Sequence, residues 1–549
     1  MRKWKVNFIF LLFFIASAII IHRLSFLQIS QGKFYKAFSQ GLHASSQNTL
    51  SGRGEIFLKN EKPLAINIEH FIVFANSRII EDLSGAVNIL SNILNIEEDI
   101  LFEKINNNPS YAVLKENLSK TEVDQINELE LYGVFVNTKS KRYYPQEKFL
   151  SSVIGFLGAE NKGQYGLEEF YEETLKTKDG IIQDKKGSDL FLTIDYSIQF
   201  EAEALLKRVK ENLDIKDGEI IVIEPSSGKI LAMASLSNFD PNYYEKYAQE
   251  ENLAIFKNKA TQELFEPGSV FKPITMASAI EEKKITPETT YEDPGCLQID
   301  IYPVCNYEQR IYEGELTMIN VLEKSINTGA VFAQKELGGN LFIEYIEKFG
   351  FLEKTKIDTQ ETYSNNENVR SQREVNLATA SFGQGIVMTP IQLVKAYCAI
   401  ANGGRLITPH LVEKIVDSDN NIYYPYQENT KNARQVISTK TSSQIVSMLL
   451  SVVENGFGKA AQVPGYFVAG KTGTSQVSYG SLGINQEGYS DETIQSFVGF
   501  APAFNPRFLI LIKLDNPKTK TAEYSAIPAF QELAEYIIRQ YQIPLDYEQ

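Results

Sequence analysis

Two apolar segments, one on each side of a long stretch of helical periodicity, repeat one device and limit what the chain can fold into. "GEIIVIEPSSGKILAMASL" (218–236) runs apolar on both sides of Pro-Ser-Ser-Gly-Lys, and "SFVGFAPAFNPRFLILIKLD" (496–515) does so around Phe-Asn-Pro-Arg. Each reads as a hairpin, two strands joined by a short turn. "GYFVAG" (465–470) adds a further strand signal. Strands this far apart in sequence, with helices between them, predict one antiparallel sheet flanked by helices, an α+β fold. Just before the first hairpin, "DLFLTIDYSIQFEAEALLKRVKENL" passes from a strand to a helix with Ile198, Ala202, Leu205 and Leu206 on one face.

The N-terminus limits where such a fold works. "MRKWK" carries three positive charges, and 6–21 is almost continuously apolar, broken by Asn7 and Ser17. This is a membrane-targeting segment: either an uncleaved anchor over 6–27 that leaves 1–5 in the cytoplasm, or a signal peptide with its cleavage site at Ala16-Ser17-Ala18. Trp4, the only Trp, would sit at headgroup level. Both readings export the remainder. The net charge of −15, with Lys and Arg scattered, argues against nucleic acid as a partner.

Residues 28–188 mix short strand-like runs with charged helices such as "EEDILFEKINNN" and "KTEVDQINELELYG". Nothing there is catalytic in pattern, so this region reads as a pedestal and 189–549 as the catalytic domain. Cys296 and Cys305, in "PGCLQIDIYPVC", are either a disulfide closing a hairpin or two free thiols. Cys398 has helical spacing with apolar neighbours and reads as a small buried hydrophobe. Neither Cys-x-x-Cys nor His-Glu-x-x-His occurs, so no metal or cofactor is expected. His22, His43, His70 and His410 are scattered, which gives a Ser-His-Asp triad no local support.

"GYFVAGKTGTSQ" (465–476) satisfies the phosphate-loop pattern G-x-x-x-x-G-K-[ST] and also contains Lys-Thr-Gly. A phosphate loop needs a turn between its glycines and a helix after them. Here Tyr466, Phe467, Val468 and Ala469 are strand formers, and "GTSQVSYGSLG" is a poor helix. An exported domain would also meet no nucleotide triphosphate. The Lys-Thr-Gly reading requires Ser-x-x-Lys and Ser-x-Asn earlier in the chain. "FEPGSVFKPITMASAIEEKK" supplies Ser269 and Lys272 at the start of an apolar helix, three residues apart and so within reach of each other. "LEKSINTGAVFAQ" supplies Ser325 and Asn327, and Lys471 follows.

With these motifs the sequence resembles the class B penicillin-binding proteins, monofunctional peptidoglycan D,D-transpeptidases. The resemblance runs through "GRGEIF", "RYYP", "GFLG", "GQYGLEEFYEETL", "LTIDYSIQ", "EPGSVFKPIT", "SINTG", "FGQGIVMTPIQL" and "AGKTGTSQ". "EPGSVFKP" looks more like the division branch than the elongation branch. Leu58-Lys59-Asn60-Glu61 departs from the Asp-Arg-Asn-Gly that members often carry there.

The resemblance implies a penicillin-binding transpeptidase domain on an elongated, dimerisation-type pedestal with one transmembrane helix. It implies that Ser269 attacks a D-Ala-D-Ala stem peptide, with Lys272 as base, Ser325 relaying a proton, Asn327 orienting Lys272, and Lys471 as a second cation. Thr472, Gly473 and Thr474 would hold the substrate carboxylate, and the backbone amides of Ser269 and Thr474 the oxyanion. Gly383 and Gly385 in "FGQG" would form a turn near the site. Penicillin and other β-lactams would acylate Ser269. Implied partners are the membrane, a polytopic lipid-II glycosyltransferase, and other divisome or elongasome proteins. A D,D-carboxypeptidase or β-lactamase shares the motifs, although Glu336 to Asn340 lacks the leucine of a class A deacylating segment. A membrane β-lactam sensor would acylate without turnover.

Overall fold

A computed structural model describes residues 52–158, 160–176, 186–249 and 253–548, together with Phe14, Ser17 and Ile20, which are helical. The expected anchor otherwise lies outside the described residues, as do His22 and His43. Among the described residues no helix is long and apolar enough to cross a membrane.

The chain forms two units, one of 1–53 with 66–143 and one of 54–65 with 144–549. In the smaller, residues 66–75 of a strand pair antiparallel with Ala112–Leu118 and Val134–Tyr143. Helices Leu83–Leu94, Glu98–Asn107 and Lys120–Glu128 bury Val87, Leu90, Leu101, Ile105 and Val123 with Val73 and Leu114 of that sheet. Ser119 and Glu122 cap the third helix reciprocally.

The larger unit is built on a five-stranded antiparallel sheet. Its strands are β1 (Asp217–Ile223), β2 (Ile230–Ser235), β3 (Ala469–Ser478), β4 (Tyr489–Ala501) and β5 (Phe508–Asp515), in the order β3-β4-β5-β1-β2. Both predicted hairpins form, β1 with β2 and β4 with β5. Helices α1 (Tyr196–Leu213), α2 (Lys272–Glu281), α4 (Thr439–Asn455) and α5 (Ala526–Gln540) cover it, and α3 (Asn327–Leu337) packs on α2. One core joins Ile220 and Val222 to Ile198, Leu205 and Leu206 of α1 and Phe530 and Leu533 of α5. The other joins Ile221 and Ile223 to Ile274 and Ala277 of α2 and Ile445 of α4. Both faces of the sheet are therefore covered, which is why its strands read as apolar runs rather than alternating ones.

Strand Asp189–Leu192 belongs to a different sheet, pairing with Ile56–Phe57 and Val412–Val416. Gly470-Lys471-Thr472 lies within β3, paired with β4, and opens no helix. That excludes the phosphate loop. Cys296 and Cys305 form a disulfide across the paired strands Cys296–Ile299 and Tyr302–Cys305. Cys398 is buried and unpaired.

Candidate active site

Ser269 lies in a short 3-10 turn, Gly268–Phe271, that leads directly into α2, rather than in the helix proper. Gly268 has φ +62, a conformation a side chain would disfavour. Pro273 falls in the first turn of α2, where its missing N–H costs nothing. The turn brings Ser269 and Lys272 together, with Lys272 Nζ 3.0 Å from Ser269 Oγ.

Ser325 comes from the loop before α3 and holds φ +55, a left-handed conformation that costs a non-glycine residue roughly 1–2 kcal/mol. Its carbonyl accepts from Lys272 Nζ at 2.5 Å, and its Oγ lies 3.3 Å from the same nitrogen. Asn327, the first residue of α3, accepts from Lys272 Nζ through Oδ1 at 2.8 Å and donates Nδ2 to the Cys305 carbonyl at 2.9 Å. From β3, Lys471 Nζ donates to Ser325 Oγ at 2.9 Å and lies 3.2 Å from Thr472 Oγ1.

Ser269, Lys272, Ser325, Asn327, Lys471 and Thr472 thus form one hydrogen-bonded cluster. Gly473 borders it: a Cβ there would meet Ser496 Oγ at 2.5 Å and the Pro267 carbonyl at 2.9 Å. Thr474 is not joined to it, since its Oγ1 accepts from Ala522 N at 3.4 Å. Thr472 and Thr474 share one face of β3, and Thr472 reaches the cluster only because Lys471 Nζ beside it lies 3.2 Å from its hydroxyl.

Both lysines are fully buried. Burial, and then the charge of Lys471, hold Lys272 well below the ordinary lysine value. Burial alone brings Lys471 down to about 7. Neutral Lys272 has one lone pair and two hydrogens. The lone pair can accept from the Ser269 hydroxyl, while the hydrogens go to the Ser325 carbonyl and Asn327 Oδ1. The geometry therefore suits proton removal from Ser269.

Among the described residues no carboxylate is hydrogen-bonded to this cluster. Glu336 is exposed near the far end of α3, about 14 Å along the helix from Asn327. His70 and His410 are buried elsewhere, with His410 stacked on Tyr426. The Gly383–Gly385 turn packs on the nucleophile's own loop, where Gly268 N donates to the Gly383 carbonyl at 3.0 Å.

Sequence reasoning passed over Glu266 and Ser475. Ser475 Oγ donates to the Glu266 carbonyl at 2.8 Å, and Tyr489 OH donates to the Glu266 carboxylate at 3.0 Å, tying the nucleophile loop to β3 and β4. Their only sequence signal is adjacency to the motifs.

The penicillin binding protein transpeptidase domain family model matches residues 218–535, and the penicillin-binding protein dimerisation domain model matches 48–189. The chain is 30% identical to the peptidoglycan D,D-transpeptidase FtsI homolog of Mesostigma viride, over 98% of this chain and 96% of that one. It is 33% identical to stage V sporulation protein D of Bacillus subtilis, over 94% and 82%. Penicillin binding protein 3 of Mycobacterium tuberculosis, solved in complex with aztreonam, superposes with a TM-score of 0.70 at 25% identity, covering 90% of this chain and 97% of that one. With a transpeptidase domain preceded by a dimerisation domain, and with near full-length relatives, the chain belongs to the class B penicillin-binding proteins.

Proposed function

We propose that the chain is a peptidoglycan D,D-transpeptidase that cross-links stem peptides through an acyl-enzyme on Ser269. The observation that carries this reading is a lysine nitrogen, Lys272 Nζ, 3.0 Å from Ser269 Oγ in a buried cluster that favours its neutral form.

Ser269 Oγ attacks the carbonyl carbon between the two terminal D-alanines, and its proton passes to Lys272. The C–N bond breaks, and the departing D-alanine takes a proton through Ser325 Oγ, which bridges the two lysines. An amine of a second stem peptide then attacks the ester and frees Ser269. Splitting the transfer lowers each barrier. Asn327 orients Lys272. The backbone amides of Ser269 and Thr474 hold the developing oxyanion, where losing one donor typically costs about 100- to 1000-fold.

β3 is an edge strand of its sheet, which suits pairing with an extended peptide. Lys471, Thr472 and Thr474 receive the terminal carboxylate, Thr474 turning its hydroxyl from Ala522, and Gly473 lets β3 pack closely on Pro267 and Val270 of the nucleophile's loop. The domains that follow from this reading are the anchor 6–27, the pedestal 28–188 and the transpeptidase domain 189–549.

Penicillin and other β-lactams present a strained amide to the same serine. The tuberculosis relative's aztreonam complex supports that step. An amine acceptor, rather than water, is favoured by near full-length relatives that are named peptidoglycan D,D-transpeptidases. The division-type names of relatives support a septal role. The N-terminal apolar segment and the Cys296–Cys305 disulfide support a catalytic domain outside the cytoplasmic membrane. There the anchor and pedestal engage a lipid-II glycosyltransferase and other division proteins.

The test is product analysis with a D-Ala-D-Ala stem peptide, with and without an amine acceptor. Cross-linked peptide that requires the acceptor is expected. Trimmed peptide alone would make the protein a carboxypeptidase, and a penicillin adduct with no peptide turnover would make it a sensor.

A further inference from the structure

The start of α3 poses a problem that its own sequence does not solve. The residue preceding it, Ile326, has no side chain able to cap the free N–H groups of the first turn. Asn306 supplies the cap from a distant part of the chain. Its Oδ1 accepts from the N–H of Asn327 at 2.9 Å and of Thr328 at 3.1 Å.

Asn306 is itself held. Its Nδ2 donates to both oxygens of Asp293 at 2.9 Å and to the Arg310 carbonyl at 3.0 Å, leaving only Oδ1 to face the helix. Asp293 also accepts from Thr328 Oγ1 at 2.5 Å, Gly295 N at 3.0 Å and Tyr312 N at 2.9 Å. Asp293, Asn306 and Thr328 are all buried. Such a network is rigid when every member is satisfied.

The residue beside Asn306 completes the grip. The Cys305 carbonyl takes Asn327 Nδ2, so Oδ1 is the atom that Asn327 presents to Lys272. Asp293 and Asn306 fix the backbone of Asn327, and Cys305 fixes its side-chain amide.

We propose that Asn306 and Asp293 are positioning residues of acyl transfer, holding the first turn of α3 so that Asn327 orients Lys272. This rests on Lys272 being the group that takes the serine proton. Neither residue touches the reacting atoms.

The test is stopped-flow acylation of the purified protein by a fluorescent penicillin, resolving the binding constant from the acylation rate across pH, with unfolding midpoints in parallel. Asn306→Ala and the isosteric Asp293→Asn are the variants. In the second, an amide facing Asn306 Nδ2 disrupts the pair without changing the volume. Thr441→Ala serves as a stability control, because it loosens the cap of α4, where Thr441 and Ser438 bind Glu281.

Expected is a 10- to 100-fold slower acylation step with the binding constant within 3-fold of wild type. The acid limb of the rate should move to higher pH as water reaches Lys272. Acylation slowed no more than in Thr441→Ala at equal loss of midpoint, or an unmoved acid limb, overturns the proposal. Should Asn306→Ala fail to fold, Asp293→Asn decides by the same criteria. Lys272→Arg is run alongside: if it acylates like wild type, the reading of Lys272 has failed, and that failure is distinct from failure of the clamp.

Discussion

Gly268 and Gly383 meet backbone to backbone behind the nucleophile. Gly268 N donates to the Gly383 carbonyl at 3.0 Å, and a Cβ on Gly383 would fall 2.1 Å from the Gly268 carbonyl oxygen. Gly383 also holds φ +84, which an L side chain disfavours. Gly383→Ala should therefore push the 268–269 segment away and cost about 3 kcal/mol or more. Denaturant unfolding and penicillin acylation should fall together. Wild-type acylation in this variant would mean that the turn can shift without moving Ser269.

Acylation should be lost as pH falls, with a sign set by the lysines. Lys272 acts as a base only when neutral, and burial followed by Lys471 lowers its pKa. Lys471 titrates at about 7. Protonating Lys272 removes the base, and a charged Lys471 beside it opposes that protonation, so the acylation rate should decline only once pH falls well below the ordinary lysine range. Lys272→Arg cannot shed its proton and should acylate at least about 1000-fold more slowly at every pH. A wild-type rate that stays flat on the acid side down to the point of unfolding would rule out a lysine base.

The same burial makes Lys471 a cost to folding. Its value falls from 10.5 in an exposed chain to about 7 here, equivalent to about 5 kcal/mol against the charged form. A lowered lysine binds fewer protons folded than unfolded between these values, so this contribution to stability improves as pH rises from 7 towards 10.5 and stays at its full cost below 7, where both states are protonated. Lys471→Met should raise stability at pH 7 by roughly 1–3 kcal/mol, less than the full amount because Ser325 Oγ loses a donor. Acylation should be abolished. Thermal unfolding of this variant at pH 7 and pH 10 checks both parts, with the gap from wild type narrowing at the higher pH.

How far the sequence discloses this arrangement depends on whether a residue acts through local pattern or across the fold. The hairpins β1–β2 and β4–β5 were legible because burial on both faces leaves unbroken apolar runs between turn residues. Ser269, Lys272, Ser325, Asn327 and Lys471 were legible from spacing and order, and they converge. The left-handed backbone of Ser325 had no signal, since nothing in "LEKSINTG" calls for positive φ outside glycine. Which way Thr474 points depends on which face of β3 meets the turn Gly268–Phe271, and that is a tertiary fact. Asp293 and Asn306, beside the cysteines in a stretch without periodicity, read as ordinary turn residues. Their role depends on partners at Thr328 and Asn327 that pair with them only after folding.

Loss of the disulfide should affect chemistry more than its size suggests. Cys296 and Cys305 close a loop with a sequence separation of 9, for which loop-closure entropy gives about 2–3 kcal/mol. The cross-link ends at the residue whose carbonyl holds Asn327 Nδ2, so freeing it loosens the amide that faces Lys272. The double variant Cys296→Ser, Cys305→Ser should lose about 2 kcal/mol in denaturant unfolding. Its acylation by penicillin should slow by about 5- to 50-fold under conditions where it remains fully folded. Because Cys398 is buried, labelling with a thiol reagent should stay negligible in the folded variant, which confirms that the slower acylation comes from a native fold. Acylation at the wild-type rate with the stability loss intact would mean that the strand pairing of the hairpin alone holds the Cys305 carbonyl in place.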